Sequence, residues 1–177
     1  MESRRKRRSS QLLKWGCYAL LLLLCTVLQT TPGLLRLGAA GPLFVLPLCI
    51  AVAVLEDEFA SALFGVVGGL MWDYTAGRTA GMLALALLIL CFLISVAVQL
   101  YLKSTPANVV LLCAGAAWLV LSGDFLFFYY MPGYAGAAQR YLTFVLPCVA
   151  LTALVAWPLF WAARRIHTEF HIDTGVA

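Results

Sequence analysis

Apolar residues run through this chain in long blocks broken by short polar or charged intervals, and block length decides how each is read. Crossing a hydrocarbon core of about 30 Å takes roughly 20 helical residues. Six blocks approach that length: Leu12 to Leu28, Ala39 to Leu55, Phe59 to Tyr74, Ala80 to Leu102, Ala107 to Tyr130 and Tyr141 to Ala163. The second and third are short, with only Glu56, Asp57 and Glu58 between them. They cannot merge into one span. An acidic side chain at the bilayer centre costs roughly 2.5–3.5 kcal/mol, and three together outweigh the apolar residues around them. The chain therefore turns at a membrane surface there. The pattern predicts an all-α, polytopic bundle of six transmembrane helices over residues 12–163, with terminal tails at 1–11 and 164–177.

Prolines modify that picture. Pro42 suits a first helical turn, where its missing N–H is harmless, while Pro47 and Pro147 lie inside their blocks and are expected to kink them. The first block, with basic residues ahead of it, also resembles a signal sequence. It is long for one, and Thr30, Thr31, Pro32 and Gly33 make a poor cleavage context, so an uncleaved helix is expected.

Counting Lys and Arg sets the orientation. With the N-terminus inside, the cytoplasmic side holds nine (Arg4 to Arg8, Lys14, Lys103, Arg164 and Arg165) against three outside (Arg36, Arg78 and Arg140). The positive-inside rule then places both termini, and with them the acidic turn, in the cytoplasm of a multi-pass protein. Aromatic residues agree: Trp15, Tyr18, Tyr101, Trp157 and Trp161 lie toward one interface, and Trp72, Tyr74, Tyr129, Tyr130 and Tyr141 toward the other. Trp118, near a helix middle, is the exception.

Composition excludes the alternatives. Of 177 residues 63% are apolar and 11% charged, and the mean hydropathy is +0.94. That leaves too few charged groups to cover a water-soluble core and is the opposite of a disordered chain. The net charge of +4 is a terminal patch, since Arg4 to Arg8 supply five of the twelve basic residues. Such a patch reads as a topology signal touching anionic lipid, with no nucleic acid expected. Cys17, Cys25, Cys49, Cys91, Cys113 and Cys148 are scattered singly, without a C-x-x-C pair, and read as small hydrophobes. No metal or cofactor is expected.

Two features carry candidate function. Ser61, Gly65, Gly69 and Asp73 recur every fourth position, followed by Gly77 and Gly81: a ridge of small residues ending in an acid. Small residues at that spacing let helix backbones approach closely, against a helix of the same chain, a second chain or a ligand. Asp73 and Asp124 are the only acids embedded in apolar blocks, both toward the outer leaflet. If they met unaided, one would be pushed toward protonation; with Arg78 or Arg140 between them, both would stay charged in an outer polar network. An intramembrane acid protease or a proton path would need more acids at that depth. His167 and His171 flank Glu169 but lack the H-E-x-x-H order and a third ligand, so they read as a solvated tail. No glycine-rich phosphate loop and no activated Ser or Cys constellation is present.

Leu28-Gln29-Thr30-Thr31-Pro32 after the first helix, Gly41-Pro42 at the second, and the run Gly65, Gly68, Gly69, Leu70, Trp72, Asp73, Gly77, Gly81 before an apolar helix together resemble the MreD family of bacterial rod shape-determining membrane proteins. The resemblance covers roughly residues 12–105; beyond that only hydropathy and length match. The acidic Glu56-Asp57-Glu58 turn departs from it, since fewer acids are expected there. The resemblance implies a non-enzymatic subunit of the cell-elongation complex in the cytoplasmic membrane. Such a subunit binds the single-span protein MreC and helps connect MreB filaments to the peptidoglycan synthases RodA and a class B penicillin-binding protein. It also implies a fold similar to the substrate-binding subunits of energy-coupling-factor vitamin transporters. A ligand-capturing subunit is therefore the alternative; it needs a polar outer pocket, for which Asp73, Asp124, Arg78, Tyr134 and Gln139 are the few candidates. Which helix meets MreC, and whether the chain forms homo-oligomers, is not set by these motifs.

Overall fold

The computed structural model describes residues 2–31, 33, 40–77, 81–101, 105–131, 133 and 137–170. Among them there are helices and no strands. They are α1 (Glu2–Thr30), α2 (Val45–Leu55), α3 (Glu58–Ala76), α4 (Met82–Leu100), α5 (Pro106–Phe125), the short α6 (Ala137–Arg140) and α7 (Leu146–Phe170). Five-residue π-helical turns extend α5 over Leu126–Tyr130 and join α6 to α7 over Tyr141–Val145. The all-α membrane bundle is thus as the hydropathy pattern predicts.

Among the described residues, four helices are long and apolar enough to cross a membrane: Gln11–Thr30, Met82–Leu100, Pro106–Tyr130 and Tyr141–Glu169. The expected second span differs. Helix begins only at Val45, and eleven residues reach about 16 Å, half a hydrocarbon core. Ten of the eleven are buried, and α2 touches α1, α3, α4, α5 and α7. A helix apolar on every side belongs at the centre of a bundle, and α2 is this bundle's axle. α3 has the length but not the hydropathy, because glycines, Ser61, Trp72, Asp73 and Tyr74 dilute its apolar residues. Its largest interface is with α4.

The stretch leading into α2 is buried without being helical, so its backbone amides need partners from elsewhere in the protein. Gln29 Oε1 accepts from the N–H groups of Phe44 (3.0 Å) and Val45 (3.1 Å). Thr152 Oγ1 accepts from Leu43 N–H (3.1 Å), and the Cys148 thiol donates to the Gly41 carbonyl (2.9 Å). Gln29 thereby caps the central helix from α1.

The prolines also sit differently from expectation. Pro42 precedes α2, and Pro47 is its third residue, where a helix has no internal partner for an N–H in any case; no kink is needed. Pro147 is the second residue of α7, and the π turn directly ahead of it takes up the disturbance. Pro158 lies well inside α7.

Candidate functional site

Asp73 lies one turn from the end of α3 and is 1% exposed. α3 stops at Gly77, whose φ of +62° is left-handed, and α4 starts after Gly81, at φ +103°. Gly81 has no side chain with which to cap α4, leaving the first amides of that helix without local partners. Asp73 Oδ2 reaches back to accept from the N–H groups of Gly81 (2.9 Å), Leu83 (3.2 Å) and Ala84 (3.3 Å). A carboxylate also suits the positive end of the α4 dipole. Asp73 is therefore a remote N-cap, holding the α3–α4 hairpin closed.

The ridge works within the chain. A Cβ on Gly69 would overlap the Ala84 backbone, and one on Gly65 would lie 2.8 Å from the Leu87 carbonyl oxygen, so both glycines seat α3 directly on α4. Gly68, one position off the ridge, faces the Cys49 and Val45 side chains of α2. Ser61 is buried and its hydroxyl donates to the Glu58 carbonyl (2.9 Å). Gly77 and Gly81 do not extend the packing surface as expected: a Cβ there would meet nothing within 4 Å. Their contribution is the left-handed backbone that ends one helix and starts the next.

Asp73 and Asp124 line one cavity of about 370 Å³ between α4 and α5. Asp73, however, has its acceptors engaged by backbone amides, and the Arg140 guanidinium lies over the Tyr129 ring, 5.0 Å from its centroid. Arg78, Arg36, Lys103, Tyr134 and His171 lie outside the described residues.

A second polar centre, unforeseen from the sequence, occupies the opposite end. Glu56 leaves α2 with its side chain 8% exposed. Lys14 Nζ donates to Oε2 (2.7 Å), while Tyr18 OH (3.1 Å) and His167 Nδ1 (2.9 Å) reach Oε1. A carboxylate can only accept, so Nδ1 carries the proton. The Glu56 carbonyl accepts from Ser95 Oγ (3.1 Å), which ties in α4. Burial raises the pKa of a carboxyl, but the hydrogen bonds from Lys14 and His167 outweigh it and hold Glu56 below its ordinary value. Correcting the solvated-tail expectation, His167 is thus a partly buried link between α7 and the acidic turn. The only sequence signal was Lys14, a lone cation within an apolar block. The cluster also puts the early part of α1, the acidic turn and the end of α7 on one side of the bundle, as the charge count expects.

Residues 9–163 match the family model described as rod shape-determining protein MreD. No curated protein and no solved structure matches the chain.

Proposed function

Since the chain belongs to the MreD family of rod shape-determining membrane proteins, we propose that it acts as a non-enzymatic scaffold of the cell-elongation complex. In this role it binds single-span MreC and, through it, links MreB filaments to RodA and a class B penicillin-binding protein. The Glu56 end faces the cytoplasm, with both termini.

What supports a scaffold over a charge-dependent activity is the use made of the buried acids. Asp73 caps α4, and Glu56 joins α1, α4 and α7. Both hold helices in place. The test separates the acceptor role of Asp73 from its charge. Asp73→Asn keeps one carbonyl oxygen, and a single oxygen, Oδ2, makes the three shortest bonds to α4. Asp73→Leu leaves those amides unpaired; losing a cap costs about 0.5–2 kcal/mol, and more where the orphaned groups are buried. In cells depleted of their own copy and complemented at matched membrane levels, Asn is expected to keep rod shape and Leu to give rounded cells. Rounding with both variants would instead mean that the charge itself is required.

A further inference from the structure

Trp118 is the thirteenth of the 25 residues from Pro106 to Tyr130, about 18 Å from either end, and it is 48% exposed on the flank that meets acyl chains. A tryptophan belongs at a membrane surface, where its ring lies in lipid and its N–H in water. Here the N–H sits at mid-depth with no hydrogen-bond partner among the described residues, and the hydrocarbon core holds no water to replace one. Trp118 lines the deep end of a groove of about 780 Å³ that follows α5 out to Tyr130 and is bounded on its other side by Tyr141 and Leu142. One turn farther out, Ser122 Oγ and Tyr141 OH lie 2.8 Å apart in the same groove. Only one proton fits between the two oxygens, so a second hydroxyl proton is left to be accepted. The Phe125 ring, edge-on to Tyr141 with centroids 5.3 Å apart, holds that phenol in place. The π turns Leu126–Tyr130 and Tyr141–Val145 both border the groove, and such turns recur at functional sites.

The groove thus offers two donors inside the hydrocarbon region, and its occupant must bring acceptors to that depth. Acyl chains carry none, and lipid ester carbonyls lie at the surface, about 15 Å from the middle of a 30 Å core. A second copy of this chain does not answer Trp118 either. A two-fold axis along the membrane normal brings equal depths together, and indole is a donor only, so two Trp118 rings would meet donor to donor. A transmembrane helix of different sequence does supply acceptors, through the Ser, Thr, Asn or Gln side chains that bond across helices in membranes. We propose that this groove seats the transmembrane helix of the single-span partner, with an acceptor side chain against Trp118 and a second polar group against the Ser122–Tyr141 pair. The inference rests on the reading that the chain binds MreC, and it adds the face that does so. Gly123 has open space where a Cβ would stand, which lets the incoming helix approach the α5 backbone closely.

The test uses the full chain expressed with MreC in membranes. Photoactivatable benzoylphenylalanine in place of Leu126 or Leu142, both exposed in the groove, is expected to cross-link to MreC on illumination. In place of Leu63 on α3 or Leu154 on α7, equally exposed elsewhere, it is not. Trp118→Phe keeps an aromatic ring and removes the donor, so MreC retained on co-purification should fall about three-fold or more at unchanged melting temperature. Gly123→Leu fills the groove and should lower retention about ten-fold, since the added side chain stands where the partner helix would pack. Leu142→Trp, at an exposed groove position, serves if Gly123→Leu fails to fold. MreC retained by the wild type but cross-linked only from Leu63 or Leu154, or retained equally by Trp118→Phe and the groove variants, would overturn this docking face and leave the scaffold reading standing. Groove positions that cross-link to a second copy of the chain, or to lipid alone, would overturn it as well. Loss of MreC from the wild type itself would overturn the scaffold reading, and the docking face with it.

Discussion

Gly69→Leu is expected to destabilise the protein more than any other change on the ridge. The reason is steric. A Cβ at Gly69 already overlaps backbone atoms of Ala84, and backbone cannot swing aside as a flexible side chain can. α3 and α4 must then separate along their largest interface, which also stretches the Asp73 hydrogen bonds to the start of α4. Overpacking a well-packed core costs roughly 1–3 kcal/mol, and a backbone-on-backbone clash belongs at the top of that range or above it. Gly69→Ala alone should be clearly destabilising, because the offending atom is the Cβ. Gly115→Leu provides the control, since a Cβ on that glycine of α5 meets nothing within 4 Å. Thermal unfolding of the purified variants should rank Gly115→Leu near wild type, Gly69→Ala lower and Gly69→Leu lowest. Equal melting temperatures for all three would mean that α3 does not rest on α4 through this glycine.

Removing Glu56 should have an effect of similar size through electrostatics. Glu56→Leu leaves Lys14, 14% exposed, and His167, 20% exposed, facing each other across an apolar gap. Taking one partner from a buried ion pair costs roughly 3–5 kcal/mol, and less here because Lys14 retains some access to water. The double variant Glu56→Leu with Lys14→Met removes both charges and should recover much of the loss. Failure of the second change to rescue the first would place the cost in the lost hydrogen bonds to Tyr18 and His167 instead. The same pair predicts a pH dependence. The folded state holds the Glu56 carboxyl below its ordinary value, so the stabilisation is complete at neutral pH and is lost as pH falls through that lowered value. Melting temperature against pH should therefore fall less steeply on the acid side for Glu56→Gln than for the wild type.

Much of this structure is legible in the sequence, and the misreadings share a cause. Lengths and charges mark α1, α4, α5 and α7, because a lipid-facing helix must be apolar for its whole length. Ala39 to Leu55 satisfies the same rule for a different reason. Its helical part is apolar all round since protein encloses it, and composition alone does not separate lipid from a protein interior. The eleven helical residues are the better clue, as apolar runs of 10–14 residues fit a buried core helix. The spacing of Gly65 and Gly69 correctly reports close helix contact, but it names no partner; α4, the next helix in the chain, meets them. Asp73 is recognisable as a buried acid, yet its role depends on a hairpin that returns eight residues later to Gly81, a capping position with no side chain of its own. Glu56 and His167 lie 111 positions apart, and nothing local in the sequence pairs them.

Binding to a single-span partner is the central claim, and co-purification tests it most directly. The affinity-tagged full chain is expressed with MreC, extracted from membranes in mild detergent and captured. MreC is expected to be retained in near-equal amount by the wild type and by Asp73→Asn, and to be lost with Gly69→Leu in proportion to the fall in folded protein. Recovery of the folded, membrane-inserted chain without MreC would contradict the scaffold reading.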